Sequence, residues 1–250
     1  MAVFTVTFTA QSLQKQQSLT IILPDRVPFK HKLPVLYQLH GLSDNNTGWT
    51  RLTSIERYVS TLPLIVAMPD GGRGFYCDAA EGPAYESHIV KDVVGFVEKF
   101  FPVRKDRDAR AIGGLSMGGY GAMKLALKHP DMFCSVVSHS SAFDFAHGTR
   151  HDSPEFRRIF GDKPTGGPDD LFTIAEKLDR AKAPAVRFDC GTKDGLLPSS
   201  RAFHKHLLRL HIPHQYKEYP GDHNWAYWDV HVQEAIKFHW KHLRHEPVES

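Results

Sequence analysis

The stretch Ala109-Arg110-Ala111-Ile112-Gly113-Gly114-Leu115-Ser116-Met117-Gly118 decides the fold class of this chain. Its first half is mostly apolar, which is typical of a β-strand buried on both faces of a sheet. A serine between glycines follows, and a run rich in Ala, Leu and Met then favours a helix. A Gly-x-Ser-x-Gly sequence at a strand-to-helix turn indicates a serine nucleophile held on a sharp turn.

The glycines beside Ser116 fit that turn for a steric reason. A Cβ at Gly114 or Gly118 would crowd the turn or the approach of the following helix. The amino terminus of that helix also favours negative charge developing near the serine. Chance supplies the five-residue pattern in roughly one chain in ten of this composition. An ordinary glycine-rich turn without chemistry is therefore the alternative, and the partners of Ser116 must decide.

Buried-strand patterns alternate with helical patterns along the rest of the chain. Further apolar strands are predicted at residues 33–39, 64–68, 133–138 and 185–190, and a short strand at 215–219. Helices are predicted at residues 87–100, 117–128, 199–210 and 225–243. This alternation predicts an α/β fold with a mostly parallel central sheet and helices on both faces. Residues 3–9 and 18–23 read as an antiparallel pair at one edge.

Residues 146–178 break this rhythm. They contain several Gly and Pro residues and a short helical pattern at 153–160. We interpret them as a cap-like segment inserted over the carboxyl edge of the sheet. The chain as a whole, 1–250, is then expected to form a single α/β domain.

Composition excludes several classes of protein. Apolar residues make up 41% and charged residues 24%, the values of an ordinary globular chain. The net charge is only +3 with mixed signs, so no basic stripe for nucleic acid is expected. No apolar run approaches the length of a membrane span.

Cysteine usage and the start of the chain point to a cytoplasmic location. Cys77, Cys134 and Cys190 are odd in number and too few for a disulfide framework. The opening residues, Met1-Ala2-Val3-Phe4-Thr5, lack a basic segment followed by a long apolar one. We therefore expect no secretory signal.

Two later segments could supply the partners of Ser116 in the order serine, acid, histidine. Asp194 follows the buried strand that ends at Cys190, where a carboxylate could hold an imidazole in one tautomer. His223 lies on a loop before the last helix, where it could act as the base. Asp189 competes with Asp194 but falls inside the strand pattern. A turn-forming Asp before Gly is the alternative reading of Asp194.

The other histidines are less suited to catalysis. His40 is expected to make structural hydrogen bonds. Six more occupy helical or turn settings and are expected to face solvent: His204, His206, His211, His239, His242 and His245. The spacing of the last three could contact a metal only weakly, because no carboxylate or Cys completes a set. We predict no metal site.

An oxyanion hole is predicted from two backbone amides. One belongs to Met117, the residue after the serine, and the other to Leu42 on the loop after the strand at 33–39. Gly41 would let the chain turn so that the Leu42 amide points at the site. A simple strand-ending turn at His40-Gly41 is the alternative.

The chain resembles the esterase D or "putative esterase" family of α/β-hydrolases, and within it the bacterial tributyrin-esterase-like enzymes. The likeness extends over nearly the whole chain. It is carried by Leu39-His40-Gly41-Leu42-Ser43, Met68-Pro69-Asp70-Gly71-Gly72-Arg73-Gly74-Phe75-Tyr76, Gly113-Gly114-Leu115-Ser116-Met117-Gly118-Gly119-Tyr120-Gly121, Cys190-Gly191-Thr192-Lys193-Asp194 and Gly221-Asp222-His223-Asn224-Trp225.

This resemblance implies hydrolysis of short-chain carboxylic esters without a metal or cofactor. It assigns the triad to Ser116, Asp194 and His223 and the oxyanion donors to Leu42 and Met117. Relatives include S-formylglutathione hydrolases, feruloyl and acetylxylan esterases, and mycolyltransferases. S-formylglutathione hydrolases often carry a Cys after His-Gly, where this chain has Leu42-Ser43-Asp44-Asn45, which weakens that alternative. Feruloyl esterases are often secreted, but acetyl-sugar and feruloyl activity stay open.

The substrate pocket should lie at the carboxyl edge of the sheet under the inserted segment. Six residues are predicted to line it: Trp49, Phe75, Tyr76, Phe143, Leu196 and Trp225. Each could equally be a packing residue. The expected partner is a small ester, without nucleic acid or membrane, and a homo-oligomer is allowed. Two other functions stay open, namely acyl transfer to an alcohol or sugar and binding without catalysis.

Overall fold

One eight-stranded sheet organises the part of the chain that the computed structural model describes, residues 1–25, 32–147 and 153–245. The strand order is β1-β2-β4-β3-β5-β6-β7-β8. The strands are β1 (Ala2–Ala10), β2 (Lys15–Leu23), β3 (Val35–Leu39), β4 (Ile65–Pro69), β5 (Arg110–Leu115), β6 (Ser135–His139), β7 (Ala185–Gly191) and β8 (His214–Tyr219).

Most neighbouring strands are parallel, as predicted. Among the named strands of the described residues, only β1 with β2 and β2 with β4 pair in antiparallel fashion, and they form one end of the sheet. Strands β3, β4 and β6 are buried along their whole length, whereas the edge strand β8 alternates between half-buried and exposed residues. Burial on both faces explains why the central strands are apolar throughout, as the sequence pattern indicated.

Helices cover both faces of the sheet. In chain order they are α1 (Gly48–Leu52), α2 (Ile55–Tyr58), α3 (Tyr85–Ser87), α4 (Val94–Phe100), α5 (Met117–Lys128), α6 (Pro154–Phe160), α7 (Leu171–Lys177), α8 (Leu197–Arg209) and α9 (Trp225–His242). One face packs against α4, α5, α7 and α8. The other packs against α2 and α9.

Several local predictions need correction. The helix predicted at 87–100 starts earlier, and its middle, His88–Val93, is π-helical. Its last residue, Phe100, is 61% exposed. Two histidines expected in solvent, His206 and His239, are buried, because each finds a hydrogen-bond partner in the interior.

The inserted segment lies over the sheet's carboxyl edge and contains helices α6 and α7. An Arg73 guanidinium makes two hydrogen bonds to Glu155 of α6, at 2.7 and 2.9 Å, which joins the segment to the loop after β4. Residues 148–152, within the predicted segment, lie outside the described residues. None of the described helices has both the length and the apolar character needed to cross a bilayer.

Candidate active site

Ser116 occupies the turn between β5 and α5 in a strained backbone conformation. Its φ is 52° and its ψ is −117°, a region that costs free energy for a residue with a Cβ. Two backbone hydrogen bonds hold it there. The Ser116 amide donates to the His139 carbonyl at 2.8 Å, and the Ser116 carbonyl accepts from the Tyr120 amide at 3.0 Å. The side chain is thereby presented at the edge of the sheet.

The flanking glycines permit close packing around this turn. A Cβ at Gly114 would lie 2.5 Å from the Gly118 carbonyl oxygen. A Cβ at Gly118 would lie 2.5 Å from the His40 carbonyl oxygen. Any side chain at either position would therefore separate strand, helix and oxyanion loop, the crowding expected from the sequence.

His223 links Ser116 to Asp194 in a hydrogen-bonded line. The Ser116 hydroxyl donates to His223 Nε2 at 3.0 Å, and His223 Nδ1–H donates to Asp194 Oδ2 at 2.9 Å. We assign the ring proton to Nδ1 because that nitrogen faces the carboxylate. The Asp194 side chain is fully buried, whereas that of His223 is 34% exposed. The imidazole can thus reach both the serine and incoming water.

The carboxyl of Asp194 is held in its ionised form. Burial by itself raises its pKa, but hydrogen bonds from His223 and from the Leu196 amide outweigh burial and leave the pKa below its ordinary value. An ionised Asp194 can accept the His223 Nδ1 proton in a hydrogen bond throughout the neutral range. It can also stabilise an imidazolium at His223.

The acid loop and the histidine loop are fastened to each other. The Lys193 amide donates to the Gly221 carbonyl at 2.9 Å, and the Thr192 amide donates to the Tyr219 carbonyl at 2.8 Å. A Cβ at Gly191 would lie 2.6 Å from the Gly221 carbonyl oxygen. These contacts join two segments that are distant in sequence.

The predicted oxyanion donors lie beside the serine. Met117 is the first residue of α5, so its amide is one of the N–H groups that lack an acceptor within the helix. Leu42 and Met117 both line the cleft above Ser116. A Cβ at Gly41 would lie 2.7 Å from Leu115 Cδ1 and 3.7 Å from Ser116 Cβ, so the loop passes directly over the nucleophile turn.

His40 has the structural role that its position indicated. Its Nδ1–H donates to the Gly41 carbonyl at 2.7 Å, and its Nε2 accepts from the Gly71 amide at 2.8 Å. The same Nε2 atom of His40 lies 3.5 Å from Asp70 Oδ1. The ring ties the oxyanion loop to the loop after β4.

A cleft of about 670 Å³ opens over Ser116. Of the six residues predicted to line it, Phe75, Leu196 and Trp225 do so. Among the described residues, the cleft is lined by Gly41, Leu42, Ser43, Asp44, Phe75, Leu115, Ser116, Met117, Phe145, Phe156, Asp194, Gly195, Leu196, His223, Asn224, Trp225 and Trp228.

Trp49 and Tyr76 do not line the cleft but support its walls from behind. The Trp49 indole donates to the Leu39 carbonyl at 2.9 Å, and its ring packs edge-on against Trp225. The Tyr76 hydroxyl donates to the His40 carbonyl at 3.0 Å. Each polar tip finds a partner in the interior, so neither ring needs to face the cleft.

Phe143 is also a packing residue rather than a lining residue. It is only 1% exposed. Its ring stacks on Phe203 of α8 with centroids 4.6 Å apart and meets Phe188 of β7 edge-on. The sequence pattern could not show this, because both contacts join Phe143 to residues more than forty positions away.

Sequence reasoning missed one aromatic wall of the cleft. Phe145 and Phe156 pack against Phe75 with centroids 4.7 and 5.0 Å away. Phe156 belongs to α6, so the inserted segment contributes directly to the cleft, and its aromatic residues were the available signal. Trp228, one helical turn after Trp225, was also missed.

The cleft lining also has polar members, and Asp44 is the most distinctive of them. A Cβ at Gly41 would lie 3.2 Å from Asp44 Oδ2, so the carboxylate is one glycine away from the nucleophile turn. Burial raises the pKa of Asp44, partly offset by His40 and by the Gly41 amide. Ser43 and Asn224 add further polar groups to the lining.

Potential metal ligands are not clustered in the residues that the structure describes. No group of three or more His, Cys, Asp or Glu side chains in that part of the chain could hold a metal ion. The three cysteines are free and buried.

A mostly parallel sheet covered on both faces, with a serine after β5 and its acid and histidine on later loops, defines an α/β-hydrolase. The family model described as "Putative esterase" matches residues 10–239, and the chain belongs to this family. It is therefore a carboxylic ester hydrolase of the serine type. The resemblance to the putative esterase family of α/β-hydrolases is confirmed, whereas the likeness to the tributyrin-esterase-like enzymes stays a prediction.

Individual relatives agree with this assignment. The acetyl esterase of Caldicellulosiruptor saccharolyticus is 29% identical, over 95% of this chain and 98% of its own. The fluorophosphonate-binding serine hydrolase FphF of Staphylococcus aureus, solved with substrate bound, is 32% identical with a TM-score of 0.88, over 95% of this chain and 98% of its own. The S-formylglutathione hydrolase FrmB of Staphylococcus aureus is 32% identical with a TM-score of 0.85 and the same coverage.

Proposed function

We propose that this protein hydrolyses short-chain carboxylic esters through an acyl-enzyme on Ser116. The observation that carries the proposal is the line from Ser116 Oγ to His223 Nε2 and from His223 Nδ1 to Asp194, with hydrogen bonds of 3.0 and 2.9 Å. A serine hydroxyl becomes a useful nucleophile only when a neighbouring base takes its proton.

The first half-reaction forms an ester on the enzyme. Ser116 Oγ attacks the carbonyl carbon while His223 Nε2 takes the hydroxyl proton, and Asp194 stabilises the resulting imidazolium. The Leu42 and Met117 amides donate to the oxyanion. When the intermediate collapses, the bond to the alcohol breaks and His223 gives that alcohol the proton.

The second half-reaction releases the acid. Water gives a proton to His223 and attacks the Ser116 ester, and the same amides hold the second oxyanion. Collapse returns the proton to Ser116 and frees the carboxylic acid. The steps use side chains and backbone amides of this chain alone.

The aromatic wall supports a preference for short acyl groups. Phe75, Phe145 and Phe156 form a packed cluster, and Phe75 is only 1% exposed, so this wall offers little room for a long chain. We place the acyl group against this wall.

A polar alcohol is the best-supported leaving group. Asp44, Asn224 and Trp225 all line the cleft, and carboxylate or amide groups beside an indole suit a hydroxyl-rich alcohol. An acetylated sugar is therefore the leading alternative to a simple alkyl ester, and a relative is named acetyl esterase. Feruloyl esters belong in the same comparison.

Two further functions need separate tests. S-formylglutathione is a candidate substrate because a 32% identical structure carries that name, although Leu42-Ser43-Asp44-Asn45 lacks the family's Cys. Acyl transfer to an alcohol would use the same acyl-enzyme.

We also propose a cytoplasmic location, supported by three buried free cysteines.

The decisive experiment compares the wild type with Ser116→Ala. We expect Ser116→Ala to lose turnover of p-nitrophenyl acetate by a factor of about 10⁴ or more and to lose labelling by a fluorophosphonate probe. Unchanged turnover in the purified variant would exclude the proposal. A panel of p-nitrophenyl esters of increasing acyl length, with acetylated xylan, methyl ferulate and S-formylglutathione, then ranks the substrates. Added alcohols reveal transfer through new ester products.

A further inference from the structure

A second Asp–His pair lies beneath the catalytic line. Asp189 of β7 and His139 of β6 are register partners, and both side chains are fully buried. His139 Nδ1 lies 2.9 Å from Asp189 Oδ2 and 3.0 Å from Oδ1. The Tyr227 hydroxyl donates to Asp189 Oδ1 at 2.9 Å. A buried carboxylate with two such partners is costly to place and well satisfied once placed.

One arm of this group leads to the nucleophile. The backbone carbonyl of His139 accepts the Ser116 amide hydrogen at 2.8 Å, and this bond helps to hold Ser116 in its strained conformation. The backbone carbonyl of Asp189 accepts from the Ser140 amide at 2.9 Å. The residue that anchors Ser116 is thus fixed through both its ring and the next peptide.

The other arm leads to the catalytic histidine. Tyr227 is the third residue of α9, and its amide donates to the Asn224 side chain at 3.0 Å. A Cβ at Gly221 would lie 2.5 Å from Tyr227 Cδ2, so the ring packs directly under the loop that carries His223. Burial and the Asp189 charge both raise the pKa of Tyr227 above its ordinary value, which keeps the phenol a hydrogen-bond donor.

We propose that Asp189 is a positioning residue that sets the separation between Ser116 and His223. Its carboxylate accepts hydrogen bonds from His139, which anchors Ser116, and from Tyr227, which packs under the loop of His223. Neither Asp189 nor Tyr227 needs to touch the substrate. The inference rests on the proposed function, because it assigns a role in keeping Ser116 Oγ within reach of His223 Nε2.

Two variants test this arrangement of Asp189, His139 and Tyr227, which we call the Asp189 brace. Tyr227→Phe removes one hydroxyl and keeps the ring that packs on Gly221. Asp189→Asn keeps the shape and removes the charge. The matched control is Ser135→Ala. Ser135 lies on the same strand as His139, and its buried hydroxyl bonds His239 at 2.8 Å. Among the described residues, that hydroxyl makes no hydrogen bond to Asp189, Tyr227, Ser116 or His223.

We expect Tyr227→Phe and Asp189→Asn to lower kcat for p-nitrophenyl acetate about 10- to 100-fold, with KM changed less than about threefold, because small misplacement of reacting groups lowers the rate more than binding. Labelling of Ser116 by a fluorophosphonate should slow by a similar factor. Ser135→Ala should keep the kcat of the wild type. Measurements are made well below each variant's Tm, and the double variant should lose little more than the worse single variant.

A kcat within twofold of wild type in Tyr227→Phe would overturn the brace, even if Asp189→Asn does not fold. An equal loss in Ser135→Ala would also overturn it, because general loosening of the interior would then explain the effect. The proposed function has a separate test, because unchanged turnover in Ser116→Ala would exclude it. If Ser116→Ala is inactive and Tyr227→Phe is fully active, only the brace is wrong.

Discussion

Gly118 packs against the His40 carbonyl so closely that a Cβ at position 118 would lie 2.5 Å from that oxygen. This contact brings the first turn of α5 against the loop that carries Leu42. Both predicted oxyanion donors therefore depend on one glycine for their mutual position.

Gly118→Ala should consequently disturb both stability and catalysis. The methyl group would meet backbone rather than a flexible side chain, so we expect destabilisation of about 1–3 kcal/mol or more. Because the oxyanion loop must move, kcat should also fall by at least tenfold. The control is Gly95→Ala in α4, where a Cβ meets nothing within 4 Å. It should gain up to about 1 kcal/mol. Urea unfolding measures the free energy of unfolding of both variants. Equal values for Gly118→Ala and Gly95→Ala would contradict this prediction.

Asp194→Asn tests the acid of the proposed triad. An amide cannot hold the His223 Nδ1 proton as the carboxylate does, so kcat should fall about 10⁴-fold with the fold intact. The pKa of Asp194 is lowered in the folded state, so ionisation stabilises the wild type above the ordinary Asp pKa of about 3.9, and this contribution is lost as pH falls below that value. Thermal unfolding from pH 7 to pH 3 should show a flatter acid limb in the variant. A variant with full activity would exclude Asp194 as the acid.

A buried charge cluster beside α5 should govern acid stability. Lys124 is fully buried and bonds Glu86 and Asp169, each at 2.8 Å, so it joins the helix to the inserted segment. Burial alone would raise the pKa of Glu86, but hydrogen bonds from His129 and Lys124 lower it far below its ordinary value.

Glu86→Gln should therefore lower the free energy of unfolding at pH 7 by about 1.5–3 kcal/mol, because Lys124 keeps Asp169 but loses one charged partner. The stabilisation by Glu86 is complete above the ordinary Glu pKa of about 4.3 and disappears as pH falls toward the lowered value. The difference in free energy of unfolding between the wild type and Glu86→Gln should thus decrease below pH ~4.3. Exposed Glu56 supplies the control, Glu56→Gln, which should follow the wild type. A gap that stays constant with pH would contradict this account.

Phe156→Ala should change the acyl preference. It removes part of the aromatic wall that the inserted segment supplies, so longer acyl chains should gain room. We expect the ratio of kcat/KM for p-nitrophenyl octanoate over acetate to rise about tenfold, the order that one or two methylenes contribute in an apolar pocket. Phe100→Ala, at an exposed position outside the cleft lining, should leave the ratio unchanged. An unchanged ratio in Phe156→Ala would place the acyl group elsewhere.

Asp44→Asn should separate alcohol recognition from stability. If Asp44 accepts hydroxyls of the leaving alcohol, kcat/KM for acetylated sugars relative to p-nitrophenyl acetate should fall about tenfold. The raised folded-state pKa means that ionised Asp44 lowers stability as pH rises above ~3.9, so the variant should gain Tm at pH 7 and much less at pH 3. Exposed Asp162 supplies the control Asp162→Asn. A constant substrate ratio would remove Asp44 from alcohol binding.

The sheet and the candidate triad could be predicted from local patterns. Ser116 and Asp194 each lie just beyond an apolar strand, and His223 lies on the loop after the edge strand β8. Parallel strands bring their carboxyl ends to one edge of the sheet. Local sequence patterns were therefore enough to predict that the three residues lie close together.

Pocket lining could not be predicted in the same way. From the sequence, Trp49 and Phe143 are as plausible as Phe75 as lining residues, yet only Phe75 of the three lines the cleft. The difference depends on partners such as Phe203, which only the folded chain brings near. Buried His239 escaped prediction for the same reason, since its partner Ser135 lies on another element.

By itself, the sequence determined the alternation of strands and helices, the glycine-flanked serine and the order of its partners, because these depend on neighbouring residues. Tertiary structure alone decided which aromatic rings face the cleft and that Asp189 joins His139 to Tyr227. Such choices depend on burial and on hydrogen bonds between distant segments, and a buried polar group must find its partner wherever the fold places one.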